Sequence, residues 1–272
     1  MLLLGIDAGN SEVKVCSKEG VDKFPSTIGE YRERNLISEG ANDMEWEYQG
    51  ERGFAGTLAD RESYYKRRTL GETKAHDDAK LRILLACYRN CHDGDQLAIV
   101  VGQPIAQHNP GEKEKIIKML TGKHVLTVNG ITKVFTIATV TVAAESAAAY
   151  FAAPARGTVH VVDAGAGTIG LATIDNGSFI DRLSHSMPVG VDSTDGDNTK
   201  AILELILAST TDWGRNNPVY VVGGIAESLL SGVSARYPKA QVIYPEHAGQ
   251  RLAPVYANAV GFYNLAVSVY GE

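Results

Sequence analysis

Two short stretches carry most of the chemistry this chain could perform. In Val161-Val162-Asp163-Ala164-Gly165-Ala166-Gly167-Thr168 an apolar run ends on a carboxylate, turns through glycines and closes on a hydroxyl. Leu2 to Ile6 runs in the same way into Asp7-Ala8-Gly9-Asn10-Ser11. Glycines such as Gly9, Gly165 and Gly167 let backbone N–H groups approach phosphate oxygens, and Ser11 and Thr168 add hydroxyl donors. Mg²⁺ dehydrates reluctantly and takes one or two carboxylates at most, filling its shell with water and phosphate oxygen. Asp7 and Asp163 suit such an ion as ligands or as anchors through water. A single Asp-Gly turn is an ordinary hairpin feature. Two in one chain, facing one another, would clamp a nucleotide polyphosphate.

Three further features bear on that clamp. Lys14 alternates with Val13 and Val15 on the strand after the first turn, so it can lean back and offer an ammonium to the same phosphates, or face solvent. Glu145 is the one charge in the small-residue stretch Ala143 to Ala153. It reads either as a carboxylate complementing a helix dipole or as a base orienting the water that attacks a terminal phosphate. Gly223-Gly224, at a strand-to-helix junction, would let a flat ring or a sugar approach the backbone.

The elements that must position these residues follow from periodicity and turn chemistry. Leu2 to Ile6, Val13 to Cys16 and Lys23 to Ile28 read as strands. Tyr31 to Tyr65 is polar and weakly patterned, a small, loop-rich insertion. Thr73 to Asn90 repeats apolar residues at helical spacing, Leu97 to Val101 is a buried strand, and Asn109-Pro110 caps a helix running to Leu120. Asn129-Gly130 turns a hairpin between Val125–Val128 and Thr132–Val142. Ala143 to Ala153 reads as a helix, and Pro154 to Gly157 as the boundary between halves. The second half then restarts: a strand to Asp163, strands at Thr168 to Ile174 and Ser178 to Ser186, and a helix from Gly196 to Ser209. A strand at Val219 to Val222 leads through Gly223-Gly224 into a helix to Leu230, followed by a strand at Val242 to Tyr244 and a closing helix from Pro254 to Val269. Each half is strands, helix, strand, helix around an Asp-Gly turn, which predicts a duplicated three-layer α/β unit.

Composition agrees. The chain has 272 residues, 44% hydrophobic content, 28 glycines and a formal charge of −6. This describes a soluble α/β protein and argues against a surface that grips nucleic acid directly, since phosphate neutralisation needs clustered Lys and Arg. Any DNA partner would have to come through an adaptor. Met1 to Leu4 is too short for a membrane span or signal peptide and is cut off by Asp7, so the expected location is cytoplasmic. Cys16, Cys87 and Cys91 give no disulfide framework, and Cys87 and Cys91 with His92 read as buried thiols on an apolar helix ahead of a zinc site.

In this order the motifs resemble the actin, Hsp70 and sugar kinase ATPase superfamily. Ile6 to Ser11 with Lys14 looks like its first phosphate motif, Thr141 to Ala149 with Glu145 its first connecting helix, and Val161 to Thr168, Ala166 included, its second phosphate motif. Val221-Val222-Gly223-Gly224-Ile225 resembles the adenosine motif and Ala257-Asn258-Ala259-Val260-Gly261 the second connecting helix. Within the superfamily, Phe24-Pro25-Ser26 and the Ala-Asn-Ala helix look like the bacterial plasmid-segregation actins of the ParM type. Between Gly190 and Val221, where such proteins insert a subdomain, this chain has room for one helix and a connection, which resembles the AlfA branch.

The resemblance implies an actin-like, ribonuclease H-like fold with a nucleotide cleft between two halves, 1–153 (with an insertion at about 30–70) and 154–272, the latter lacking its upper subdomain. It implies ATP or GTP with Mg²⁺, hydrolysis inside a homopolymeric filament, and plasmid movement through a DNA-binding adaptor. With the subdomain missing, base selectivity should loosen. Two other readings stand beside it. A metabolite kinase like the type III pantothenate kinases shares the Asp-x-Gly-Asn turn but uses a Gly-Ala-Asp-Arg base motif, which this sequence lacks. A nucleotide-binding switch without turnover is the other, against which the retained Glu145 argues.

Overall fold

The structure, a computed structural model, describes residues 1–35, 40–67, 73–193 and 198–271. In chain order the first half forms β1 (Leu2–Ala8), β2 (Glu12–Ser17), β3 (Gly20–Pro25), β4 (Ile28–Glu30), β5 (Asp43–Tyr48), β6 (Glu51–Gly56), α1 (Thr57–Glu62) and β7 (Lys66–Arg67). It continues with α2 (Asp77–Asn90), β8 (Gln96–Gln103), α3 (Pro110–Leu120), β9 (Gly122–Val128) and β10 (Ile131–Ala144). The second half forms β11 (Thr158–Ala164), β12 (Ile169–Asp175), β13 (Ser178–Phe179), β14 (His185–Met187), α4 (Thr199–Ser209), β15 (Val219–Gly223), α5 (Ala226–Arg236) and β16 (Ala240–Val242). A two-residue hairpin (β17, Glu246–His247; β18, Gln250–Arg251) precedes the closing helix α6 (Ala257–Tyr270).

The duplication is visible in the sheets. The first sheet begins β3-β2-β1-β8-β10 and the second reads β13-β12-β11-β15-β16. In both, the strand carrying the aspartate pairs antiparallel with its successor and parallel with the next strand. Parallel strands covered on both faces need continuous apolar runs. Leu97 to Val101 on β8 are accordingly all buried, facing Leu84 and Leu85 of α2 on one side and Phe262 of α6 on the other. The second core gathers Val162, Val221, Ile206, Leu229 and Val233. The closing helix belongs by sequence to the second half but packs on β1, β2 and β8 of the first sheet, so the two halves share it.

Several local expectations are met. Asn109 accepts the Glu112 N–H at 3.0 Å with Pro110 in the first turn of α3, and Asn129 and Gly130 take the positive φ values of 51° and 76° that their hairpin requires. Cys16, Cys87 and Cys91 are free and buried.

Others are corrected. Ala143 to Ala153 is not an α-helix: β10 stays paired to β8 as far as Ala144, the Glu145 N–H bonds the Gln103 carbonyl at 2.9 Å, and Ser146 turns to φ 65°, leaving a 3₁₀ turn at Ala148–Ala152. Alanine's helix preference is a few tenths of a kcal/mol per residue, and a sheet ladder overrides it. Among its described residues the insertion is built of strands and a short helix rather than loop-rich. β5 pairs with β9, and the hairpin residue Asn129 is bonded to Glu45 and Asp43, so one sheet of ten strands runs from the body into it. The strand expected at Lys23 to Ile28 divides at Ser26–Thr27. That expected at Ser178 to Ser186 divides around a 3₁₀ turn at Asp181–Leu183, where the Ser184 hydroxyl takes over ladder bonds to Ile180 and Thr173. Helices start later than read: α2 at Asp77, capped by the His76 ring, α5 at Ala226 and α6 at Ala257. Residues 196–197 of the predicted helix, and 36–39 and 68–70 of the insertion, lie outside the described residues. Among the described residues no helix is long and apolar enough to cross a membrane.

Candidate nucleotide site between the two sheets

The two Asp-Gly turns face one cavity of about 300 Å³. Asp7, Gly9, Asn10, Ser11 and Lys14 line it from the first sheet and Asp163, Gly165, Ala166, Gly167 and Thr168 from the second. Gly223, Gly224 and Ile225 at the end of β15 close one side, and Glu145 lies at the end of β10. The structure therefore brings together every residue the sequence singled out for the clamp. Lys14 stands opposite Asp7 in the β1–β2 register and is 8% exposed, so it faces the cavity and not solvent.

Each turn is braced from behind. The Ser26 hydroxyl donates to the Gly9 carbonyl at 2.6 Å, the Ser26 N–H to the Ser11 carbonyl at 2.9 Å, and Lys74 Nζ to the Ala8 carbonyl at 2.8 Å. This use of Ser26 is why the third strand breaks there. The second turn closes on itself through a Gly165 N–H bond to the Thr168 carbonyl, and the loop ahead of α4 clasps it through Val191 N–H to Gly165 and Asp192 N–H to Ala166.

Five carboxylate residues line this space, Asp7, Glu12, Glu145, Asp163 and Asp192; Glu12 pairs with Lys14 and Lys23, while Asp7, Glu145 and Asp163 act on one another. Asp163 Oδ2 accepts from Asn258 Nδ2 at 2.8 Å and from Ser146 Oγ at 3.2 Å, while the Ser146 N–H donates to Asn258 Oδ1 at 3.1 Å. Desolvation outweighs these bonds and, with the neighbouring Asp7 charge, pushes the Asp163 carboxyl up to about 6. Glu145 is pushed up to about 7, chiefly by desolvation and also by Asp7 and Asp163, against the opposing pull of Lys74. Its Oε1 is buried and accepts no hydrogen bond among the described residues. An orphaned buried acceptor of this kind is costly unless something else satisfies it.

That orphan and the donor set fit a hydrated divalent ion and a polyphosphate. Among the described residues no three His, Cys, Asp or Glu side chains enclose a metal by themselves. Ser146 and Lys74 were not singled out from the sequence, and Asn258 entered only as part of the closing-helix motif, not as a site residue. Asn258 left a signal, as a lone amide among the apolar residues opening α6. Ser146 and Lys74 left none, because their roles depend on partners distant in the chain.

Comparison with known proteins agrees with this architecture. A family model described as the N-terminal domain of actin-like proteins matches residues 5–147, and the chain belongs to that family. Among solved structures, the AlfA filament bound to AMPPNP superposes with a TM-score of 0.77 at 21% identity, covering 100% of this chain and 97% of that one. The apo ParM protein of pSK41 gives 0.75 at 18%, covering 98% and 97%, and the archaeal actin homologue Ta0583 in complex with ADP gives 0.77 at 16%, covering 98% and 100%. At these identities the likeness is one of fold. No curated protein sequence matches the chain. The fold is thus the duplicated actin-like one; among the described residues, α4 is the one α-helix between β14 and β15, where an upper subdomain of the second half would stand.

Proposed function

We propose that this chain is a nucleoside-triphosphate hydrolase that polymerises into filaments with ATP or GTP bound and, through a DNA-binding adaptor, separates plasmid copies in the bacterial cytoplasm. The observation that carries the hydrolase reading is the buried, unbonded Oε1 of Glu145 between two glycine turns. Actin-like relatives of the same fold that are filaments or hold AMPPNP or ADP support polymerisation and nucleotide binding, and the adaptor and plasmid cargo rest on the resemblance of the motifs.

In this reading the halves 1–153 and 154–272 grip the nucleotide between them. Backbone N–H groups around Gly9 to Ser11 and Gly165 to Thr168, with the two hydroxyls and Lys14, hold the phosphates. Gly223, Gly224 and Ile225 face the nucleoside. Asp7 and Asp163 anchor Mg²⁺, which neutralises phosphate charge when bound. Glu145 orients water toward the terminal phosphorus and takes its proton as the new P–O bond forms. The bond to the bridging oxygen breaks, and its electron pair leaves on the diphosphate. A carboxyl that titrates near neutrality can receive that proton and release it again.

The test is light scattering with sedimentation and phosphate release, across a series of protein concentrations, with Mg-ATP, Mg-GTP or neither. Nucleotide-dependent polymer above a critical concentration, with phosphate appearing, is expected. Absence of polymer at every concentration would turn attention to a small hydroxylated phosphate acceptor. ATP and GTP should both support assembly, because only α4 and a connection stand where further base contacts would arise.

A further inference from the structure

Lys74 sits between β7 and α2, far in sequence from both phosphate turns, yet its side chain is only 7% exposed and lines the cavity. A buried ammonium needs partners for three donors. One goes to the Ala8 carbonyl at 2.8 Å. Among the described residues the ion-pair partner of Lys74 is Glu145 Oε1 at 3.7 Å, the same oxygen that accepts no hydrogen bond. The pair is close enough to feel one another and too far apart to satisfy one another, and both groups border the space between the turns.

Lys74 is held there deliberately by the fold. Gln103, fully buried at the end of β8, accepts the Lys74 N–H on its side-chain oxygen at 2.8 Å and donates from its side-chain nitrogen to the Thr73 hydroxyl at 2.8 Å. That hydroxyl donates in turn to Glu112 of α3 at 2.5 Å and accepts from the Ala75 N–H at 3.1 Å. The backbone carbonyl of the same Gln103 accepts the Glu145 N–H at 2.9 Å. One residue therefore sets the positions of both Lys74 and Glu145.

We infer that Lys74 is a catalytic residue that contacts the terminal phosphoryl oxygens beside the water held by Glu145, and that Gln103 is the positioning residue that fixes the two together. The charge count supports it. Five carboxylate residues border the cavity, Asp7, Glu12, Glu145, Asp163 and Asp192, and a triphosphate adds more negative charge, against which Lys14 and Lys74 are the lysines lining it. Lys14 comes with the first turn and Lys74 with the strap ahead of α2, so the second ammonium is placed to meet the far end of the phosphate chain. This inference rests on the hydrolase reading above.

The test uses the full chain with Lys74→Met, Lys74→Arg and Gln103→Ala, each checked for folding by thermal denaturation. Affinities for fluorescent di- and triphosphate nucleotides and single-turnover hydrolysis are measured together. Lys74→Met should slow hydrolysis about 100-fold and weaken triphosphate binding about 10-fold, with diphosphate binding within about 2-fold of the unsubstituted chain. Lys74→Arg should retain the triphosphate preference, and Gln103→Ala should lower the hydrolysis rate with little change in diphosphate affinity. Equal weakening of both nucleotides would reduce Lys74 to a brace of the first turn and overturn the inference, as would an unchanged hydrolysis rate in a folded Lys74→Met. If the unsubstituted chain binds nucleotide without hydrolysing it, the hydrolase reading fails. The loss of triphosphate preference then still decides whether Lys74 makes the contact.

Discussion

The two Asp-Gly turns are built on the same strand pattern and differ in what stands opposite the aspartate. In the first half Asp7 faces Lys14 across the β1–β2 pair. In the second, Asp163 faces Gly170 in the matching register of β11–β12. A Cβ at Gly170 would lie 1.7 Å from Ser146 Oγ, so the second half gives up the side chain that is a cation in the first and admits Ser146 beside Asp163. One turn thus offers a carboxylate with an ammonium on the neighbouring strand, itself ion-paired to Glu12 at 3.7 Å. The other offers a carboxylate hydrogen-bonded by a hydroxyl and an amide, with the Lys14 ammonium acting on it from across the cavity. The chain carries two similar turns, and in the proposed function the residue opposite each aspartate divides their tasks between phosphate and cation.

The division can be broken at either end. The largest effect should come from Asp163→Ala, which should abolish Mg²⁺-dependent nucleotide binding. Titration of a fluorescent nucleotide with Mg²⁺ or with EDTA measures it, and retained Mg²⁺-dependent affinity would show the second turn to be misassigned. Glu145→Ala should leave affinity in place and slow phosphate release about 100-fold, with longer-lived polymers in light-scattering decay; unchanged turnover would remove Glu145 from the mechanism. Lys14→Ala should weaken nucleotide binding about 10-fold, the worth of one charge-assisted hydrogen bond, without slowing bound nucleotide to the same degree.

Two smaller effects sharpen the contrast. Gly170→Ala should cost about 1–3 kcal/mol in denaturant unfolding, because the new methyl must displace Ser146. The last concerns pH. Asp163 and Glu145 titrate above their ordinary range in the folded chain, at about 6 and about 7, so between the unfolded and folded values the native state holds more protons. Their contribution to stability is fully present below about pH 4 and is lost as pH rises through those folded values. Metal-free, nucleotide-free protein should therefore gain from these groups on going from pH 8 to pH 5.5, and Asp163→Asn should flatten the dependence in thermal unfolding. A steeper profile in that variant would contradict the assignment.

Wherever a local signal was sufficient, the sequence was legible. Both Asp-Gly turns, the Asn129-Gly130 hairpin and the Asn109-Pro110 cap are each decided by a few neighbouring residues whose φ preferences or side-chain acceptors leave little choice. The apolar run at Leu97 to Val101 announced a strand covered on both faces. Reading failed where a distant partner decided the outcome. The alanines after Val142 favour a helix on their own, but pairing with β8 holds them extended as far as Ala144. The polar insertion gave no pattern of its own because its order comes from pairing with β9. Lys74 and Ser146 are unremarkable in sequence and become part of the site through Gln103, Ala8 and Asp163.

The sequence by itself determined the repeated strand-and-turn units, the residue types that face the cleft and the absence of room for more than one helix between Gly190 and Val221. These follow from short-range preferences and from composition, which act before the chain is assembled. Only the tertiary structure decided that Glu145 ends a strand with one oxygen unbonded and that Asn258 of the last helix reaches back to Asp163. It also decided that a strap ahead of α2 delivers an ammonium to the same space. Those placements come from burial and long-range hydrogen bonding, which become defined once both sheets are closed around the shared helix α6.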